Sequence, residues 1–231
     1  MQNDTSEGNI NNVEERKSSR NDKLIIVCSI LVVLLIQLFA RLLISVFWTI
    51  PFALLAIGII FLLKHYGWSD LGLNKPKSWK KTIIIGVSVA FISQMIAGLI
   101  QTLLFQLGLG TTNFSSFAPI KGNVGVLVVY IIISWTTAGI GEEIIWRAFM
   151  IGQIELLFDK KREGRIIGLI VSMFLFGLIH IYQGIVGIII TGFVGLIYGI
   201  MYLKSGHNLW MTIISHGTAG TMAFLLLFFL V

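Results

Sequence analysis

Seven long apolar runs separated by short polar stretches organise the chain from residue 24 onward. They fall at about 24–46, 48–64, 82–108, 122–141, 166–182, 185–203 and 208–230, and the fourth continues as helix to about 158. Apolar residues follow one another without the period-two alternation of a barrel strand, so each run predicts a helix. A helix needs about 20 residues to cross the hydrocarbon of a bilayer. The second and fifth runs are short against that length, and the third is long enough to tilt. The pattern predicts an all-α polytopic transmembrane bundle of about seven spans, within a range of six to eight. The weak points of this pattern are Arg41 with Pro51, a candidate tight hairpin between the first two runs, and Gly139 with Gly141, a candidate break in the fourth helix. Residues 1–22 are polar and poor in aromatics, which predicts a flexible tail. Residues 23–231 then form one transmembrane domain. The first run is too long for a signal-peptide core and lacks a small-residue cleavage site, so it reads as an uncleaved anchor.

Composition agrees. Hydrophobic residues make up 56% of the chain and charged residues 12%, against about 25% charged in soluble domains. The mean hydropathy is +0.89. A soluble core of this length could not hide so much apolar side chain, so lipid is the solvent. The formal charge of +6 could suggest a nucleic-acid partner, but the placement of the charge argues against one. Of the 17 Lys and Arg residues, 14 lie in the tail or in the loops at 64–81, 159–165 and 204–207. Lys121 and Arg41 fall on the opposite side, and Arg147 falls within the membrane. By the positive-inside rule the N-terminus is expected in the cytoplasm. Cys28 is the only cysteine, which excludes an intrachain disulfide and a thiol metal cluster. Gly187, Gly192, Gly195 and Gly199 in the sixth run predict close helix packing.

Ionisable residues inside a membrane are costly and are functional candidates by default. Glu142, Glu143 and Arg147 lie in Gly-Glu-Glu-Ile-Ile-Trp-Arg, His180 in Phe-Gly-Leu-Ile-His, and His216 in Ile-Ser-His-Gly-Thr. Three different runs carry them, so only a folded bundle brings them together. On a helix Glu143 and Arg147 share a face and neutralise each other. Glu142 points about 100° away and has no local cation, an arrangement suited to a base that takes a proton from water and returns it. The same three residues also suit a buried polar clamp between helices. Phe176 and His180 are four apart, so their rings are expected to pack together. His65 and His207 sit at run ends and read as interfacial. Ser172 and Ser215 lie near the histidines, but the nucleophile turn of a serine hydrolase is missing, and so are a His-Glu-x-x-His zinc helix and a phosphate loop.

Along straight helices at about 1.5 Å per residue, Glu142 and His180 stand roughly 23–26 Å from the 159–165 loop. His216 stands about 18 Å from Lys204 by the same rise. The three level out only if the 150–170 hairpin projects or its helices tilt.

The pattern resembles the CAAX prenyl protease and bacteriocin-processing (CPBP, or Abi) family of intramembrane peptidases. That family's motifs are Glu-Glu-x-x-x-Arg, Phe-x-x-x-His and His-x-x-x-Asn, in that order. Here they read Glu142-Glu143-Ile144-Ile145-Trp146-Arg147, Phe176-Gly177-Leu178-Ile179-His180 and His216-Gly217-Thr218-Ala219-Gly220, within a core at about 120–231. The resemblance implies hydrolysis of a peptide bond in a membrane-delivered peptide or protein. It implies that Glu142 activates water, that His180 helps hold it, that His216 stabilises the oxyanion, and that Glu143 and Arg147 keep the site in shape. A zinc ion held by Glu142, His180 and His216 and a metal-free glutamate mechanism are both open under the resemblance. Gly220 stands where the family usually places Asn, so one oxyanion donor is missing; Thr218, Thr221 and Asn208 are the candidates to replace it. The short chain and small loops are more like the bacterial branch, linked to peptide maturation, immunity and pheromone processing, than like a processor of prenylated CAAX proteins. Gly220 also keeps open a non-catalytic immunity or regulatory protein that binds a peptide or membrane partner. A proton or ion pathway ranks last, because acidic pairs do not recur along several runs.

Overall fold

Ser19 opens the first helix. Its hydroxyl accepts the amide of Asp22 while the Asp22 carboxylate accepts the amide of Ser19, which ties down two free amides of the helix start. The computed structural model describes residues 19–44, 48–67 and 69–230. The cap ends the expected tail before residue 22, and residues 1–18 lie outside the described residues. Seven helices follow: α1 Arg20–Leu43, α2 Thr49–Leu63, α3 Trp79–Gln106, α4 Val124–Leu157, α5 Arg162–Leu178, α6 Gly184–Lys204 and α7 Trp210–Leu230. Ser78 and Asn123 cap α3 and α4 by accepting the amides of Lys81 and Val126. No strand occurs among the described residues.

Helices α1, α3, α4, α6 and α7 are long and apolar enough to cross a membrane. With 15 and 17 residues, α2 and α5 fall short, as their short apolar runs foretold. The outward faces are apolar: Leu42, Leu63, Leu99 and Phe229 are 69–77% exposed. Faces of this kind suit lipid and not water, so the chain is an integral membrane protein.

One expectation is met and one is corrected. Helix α4 continues to Leu157, as the reading of the fourth run to about 158 had it, and the candidate break at Gly139 and Gly141 is absent. It runs through from Val124, with π-type hydrogen bonding over Ser134–Glu142 and Ile144–Ile151 and ordinary helical angles at Ile133, Glu143 and Ile151. Its glycines admit neighbours instead: a Cβ on Gly141 would meet Ile50 Cγ2 at 2.6 Å. The fifth run was expected to continue through 182, yet α5 ends at Leu178. The His180 amide turns back to the Gly177 carbonyl at 2.9 Å, and a 3-10 turn, Ile181–Gln183, leads into α6. His180 therefore stands just past a helix end.

Polar contacts gather the connections at two ends. At one end Lys23 pairs with Asp159 at 3.1 Å and Lys64 Nζ donates to Gln153 at 3.3 Å. There too Asn208 donates to the Asn74 carbonyl at 2.9 Å, and His207 Nε2 lies 3.0 Å from Glu155. This end holds the start of α1 and the α2–α3, α4–α5 and α6–α7 connections, which carry the basic residues. At the other end Arg41 Nη1 donates to the Ile179 carbonyl at 2.7 Å, and the Asn113 amide to the Gln183 carbonyl at 2.9 Å.

Candidate active site

Glu143 and Arg147 lie one turn apart on α4 and form an ion pair at 2.9 Å, both side chains wholly buried. A buried guanidinium needs more than one partner. Arg147 Nη2 also donates to the Gly195 carbonyl of α6 at 3.3 Å, and its guanidinium lies 4.7 Å from the Phe176 ring and 5.6 Å from the Tyr198 ring. Gly195 makes this possible: a Cβ there would meet Phe176 Cδ1 at 2.7 Å. The predicted glycine face of α6 is thus the seat of both the Arg147 bond and the Phe176 ring.

Across from α4, α7 brings His216. Its Nδ1 lies 2.8 Å from Glu143 Oε1, and its Nε2 lies 3.8 Å from Glu142 Oε2. An ionised carboxylate only accepts, so Nδ1 carries the proton and donates to Glu143. Nε2 is then turned towards Glu142. His180 Nδ1 donates to the Phe176 carbonyl at 2.8 Å, which leaves its Nε2 free to accept. The Phe176 ring sits between the two histidines, with centroids 5.0 Å from His180 and 6.0 Å from His216. The expected packing of Phe176 on His180 is present, although His180 stands beyond the helix. Glu142 Oε2 is buried and has no hydrogen-bond partner among the described residues. A cavity of about 530 Å³ lies against Glu142, Trp146 and His180.

Arg147, His180 and His216 therefore meet around one aromatic ring, and Glu143 and Glu142 join them through Arg147 and His216. The carboxylates take different partners, as their positions on the helix foretold: Glu143 is spent on Arg147 and His216, and Glu142 faces the cavity. Other candidates are engaged elsewhere. Ser172 donates to the Trp146 carbonyl at 2.9 Å and Ser215 to the Gly86 carbonyl at 2.7 Å, so neither hydroxyl is presented to a histidine as a nucleophile. His207 holds Glu155 at the basic end. Of the proposed replacements for the absent Asn, Asn208 binds Asn74, and Thr221 donates to the Gly217 carbonyl and accepts from Trp135. At Gly220 a Cβ would run into Ser134 Oγ of α4, a buried hydroxyl without a partner among the described residues.

The side chains proposed as zinc ligands do not form one donor set. His216 and His180 each bond through Nδ1 and keep Nε2 open, yet among the described residues no three His, Cys, Asp or Glu side chains group as metal ligands. A catalytic zinc site needs three such donors converging at about 2.0–2.2 Å from one point. The side chains as placed do not fit that requirement.

Sequence reading missed Gln37, Arg41 as a cavity residue, Tyr198 and Ser134. Gln37 and Arg41 are polar, four apart and in an apolar run, a pattern that was open to notice. Tyr198 and Ser134 carried no signal.

Residues 124–222 match the family described as type II CAAX prenyl endopeptidase Rce1-like. No curated protein and no solved structure matches the chain. The matched residues hold all three motifs and the side chains gathered at this site, so this part of the chain is similar to that family of CAAX-type membrane proteases.

Proposed function

We propose that the protein is an intramembrane endopeptidase in which Glu142 activates the attacking water. The observation that carries this reading is the split between the two carboxylates: Glu143 is neutralised, whereas Glu142 Oε2 is buried, without a hydrogen bond among the described residues, and beside the cavity. A water between Glu142 Oε2 and His180 Nε2 gives one proton to the carboxylate, while His180 Nε2 accepts a hydrogen bond from the other. Its oxygen attacks the scissile carbonyl. The oxyanion faces the His216 ring, which Glu143 orients through Nδ1–H. Glu142 then passes its proton to the departing amine as the C–N bond breaks.

The substrate class that fits best is a membrane-delivered peptide or protein of a bacterial cell, in maturation, immunity or pheromone processing. The reading keeps seven spans, with α2 and α5 as short ones, and a cytoplasmic N-terminus set by the basic end. Ser116, Phe117, Ile181 and Tyr182 line the cavity from the end opposite the basic loops. With those loops cytoplasmic, the cavity faces the outer side of the membrane.

Cleavage of a membrane-peptide panel by wild type and Glu142→Gln, each with and without a strong chelator, tests the reading. The expected results are a loss of roughly a hundredfold or more in the mutant, the scale of a general base, and indifference to chelator. Full cleavage by a folded Glu142→Gln protein would sink the mechanism. A second reading, peptide binding without hydrolysis, draws on Gly220 in place of a donor. It predicts that Glu142→Gln keeps the biological activity.

A further inference from the structure

We propose that Gln37 and Arg41 of α1 form a carboxylate-anchoring subsite that holds the substrate peptide beside Glu142 and His180. The proposal rests on the peptidase reading and names the chemistry its substrate must carry. Both side chains line the cavity that reaches Glu142. They lie four apart on α1 and so project from the same face. Gln37 is 7% exposed, and its Nε2 has no hydrogen-bond partner among the described residues. A buried amide donor left unmatched costs free energy that a ligand can recover. Arg41 has one hydrogen bond, to the neutral carbonyl of Ile179, and no carboxylate partner among the described residues. That bond fixes its guanidinium next to the residue that precedes His180.

The remaining wall is mostly apolar, including Leu34, Leu38, Phe117 and Ile179. The cavity therefore offers one cation and one amide donor on one side, apolar surface around them, and the Glu142–His180 pair on the other. A peptide with apolar side chains and one carboxylate near the scissile bond matches all three features. The guanidinium and the Gln37 amide both donate, so an anion that only accepts satisfies both. The carboxylate can be a chain terminus or an Asp or Glu side chain.

The test uses full-length protein in detergent and short apolar peptides in three forms: free C-terminal acid, C-terminal amide, and amide with one internal Glu. KM and kcat are measured on wild type, and binding by fluorescence anisotropy on Glu142→Gln. One acid-bearing form should show a KM or Kd about tenfold below the neutral amide, the scale of one charge-assisted hydrogen bond. Which form it is identifies the source of the carboxylate. Arg41→Gln and Gln37→Leu should bring that ratio towards one, and Arg41→Lys should keep part of it. Gln37→Leu leaves the bond to Ile179 intact and decides the matter if Arg41→Gln does not fold. A ratio of one in wild type, or a ratio unchanged in folded variants, overturns the subsite. Carboxylate-dependent binding without any cleavage keeps the subsite and removes the peptidase reading. Cleavage that needs Glu142 but ignores the carboxylate does the reverse.

Discussion

A guanidinium with no exposed surface has to be neutralised where it stands. Arg147 meets Glu143, the Gly195 carbonyl and the face of Phe176, and Glu143 in turn orients His216. Arg147→Met would leave a buried carboxylate without its cation, at a cost of about 3–5 kcal/mol. The double variant Glu143→Gln, Arg147→Met should recover most of that loss in thermal unfolding but not the activity, because His216 loses its charged acceptor. Ser134 and Gly220 make a second local test. Gly220→Asn restores the family's usual residue on paper, yet its Cβ meets the Ser134 hydroxyl. The single variant should lower the unfolding midpoint, and adding Ser134→Gly should restore it. If the recovered protein also cleaves faster, the missing donor limits the native site. Glu142, Glu143, Arg147, His180 and His216 stood out as candidates because an ionisable group in an apolar run is costly, with a polar clamp as the other reading of the first three. Ser134 gave no such signal. It is uncharged, and what matters about it is Gly220, 86 residues further along the chain.

At the scale of helices, structure is legible in the sequence where a signal repeats and hidden where it depends on one contact. Each of the seven apolar runs became a helix, because unbroken hydropathy leaves the backbone no other way to satisfy itself in lipid. The end of α5 was missed, since nothing between Phe176 and Gln183 is polar enough to mark a turn except His180 itself. Glycine placement in α6 was read as packing, and its value for the site came only with the fold. Gly195 lets α5 press Phe176 against Arg147 and both histidines. Gly195→Leu should overpack that contact by about 1–3 kcal/mol. Because Phe176 touches both histidines, kcat should fall more steeply than stability. Gly98, which has open space around it, is the control: Gly98→Leu should change neither kcat nor the unfolding midpoint appreciably.

The arrangement of the whole bundle follows from alternation. Helices that run up and down place successive connections at opposite ends, so the basic loops collect at one end and the cavity rim at the other. Single exposed pairs at the basic end matter little: Lys23→Ala should cost at most about 1 kcal/mol. Collectively they matter more. The basic end is stitched by Lys23–Asp159, Lys64–Gln153, His207–Glu155 and Asn208–Asn74, links that tie α1 and α4 to the α2–α3, α4–α5 and α6–α7 connections. At the rim, α1 is held to the α5–α6 turn by Arg41 and the Ile179 carbonyl. In mechanical terms the bundle is a peg, clamped at one end and sprung at the other. Amide hydrogen exchange should be slowest around Glu155 and Leu209 and faster around Ile179–Gln183. Entry of a peptide then depends on how far the sprung end parts, while the clamped end keeps Glu143, Arg147 and His216 in register.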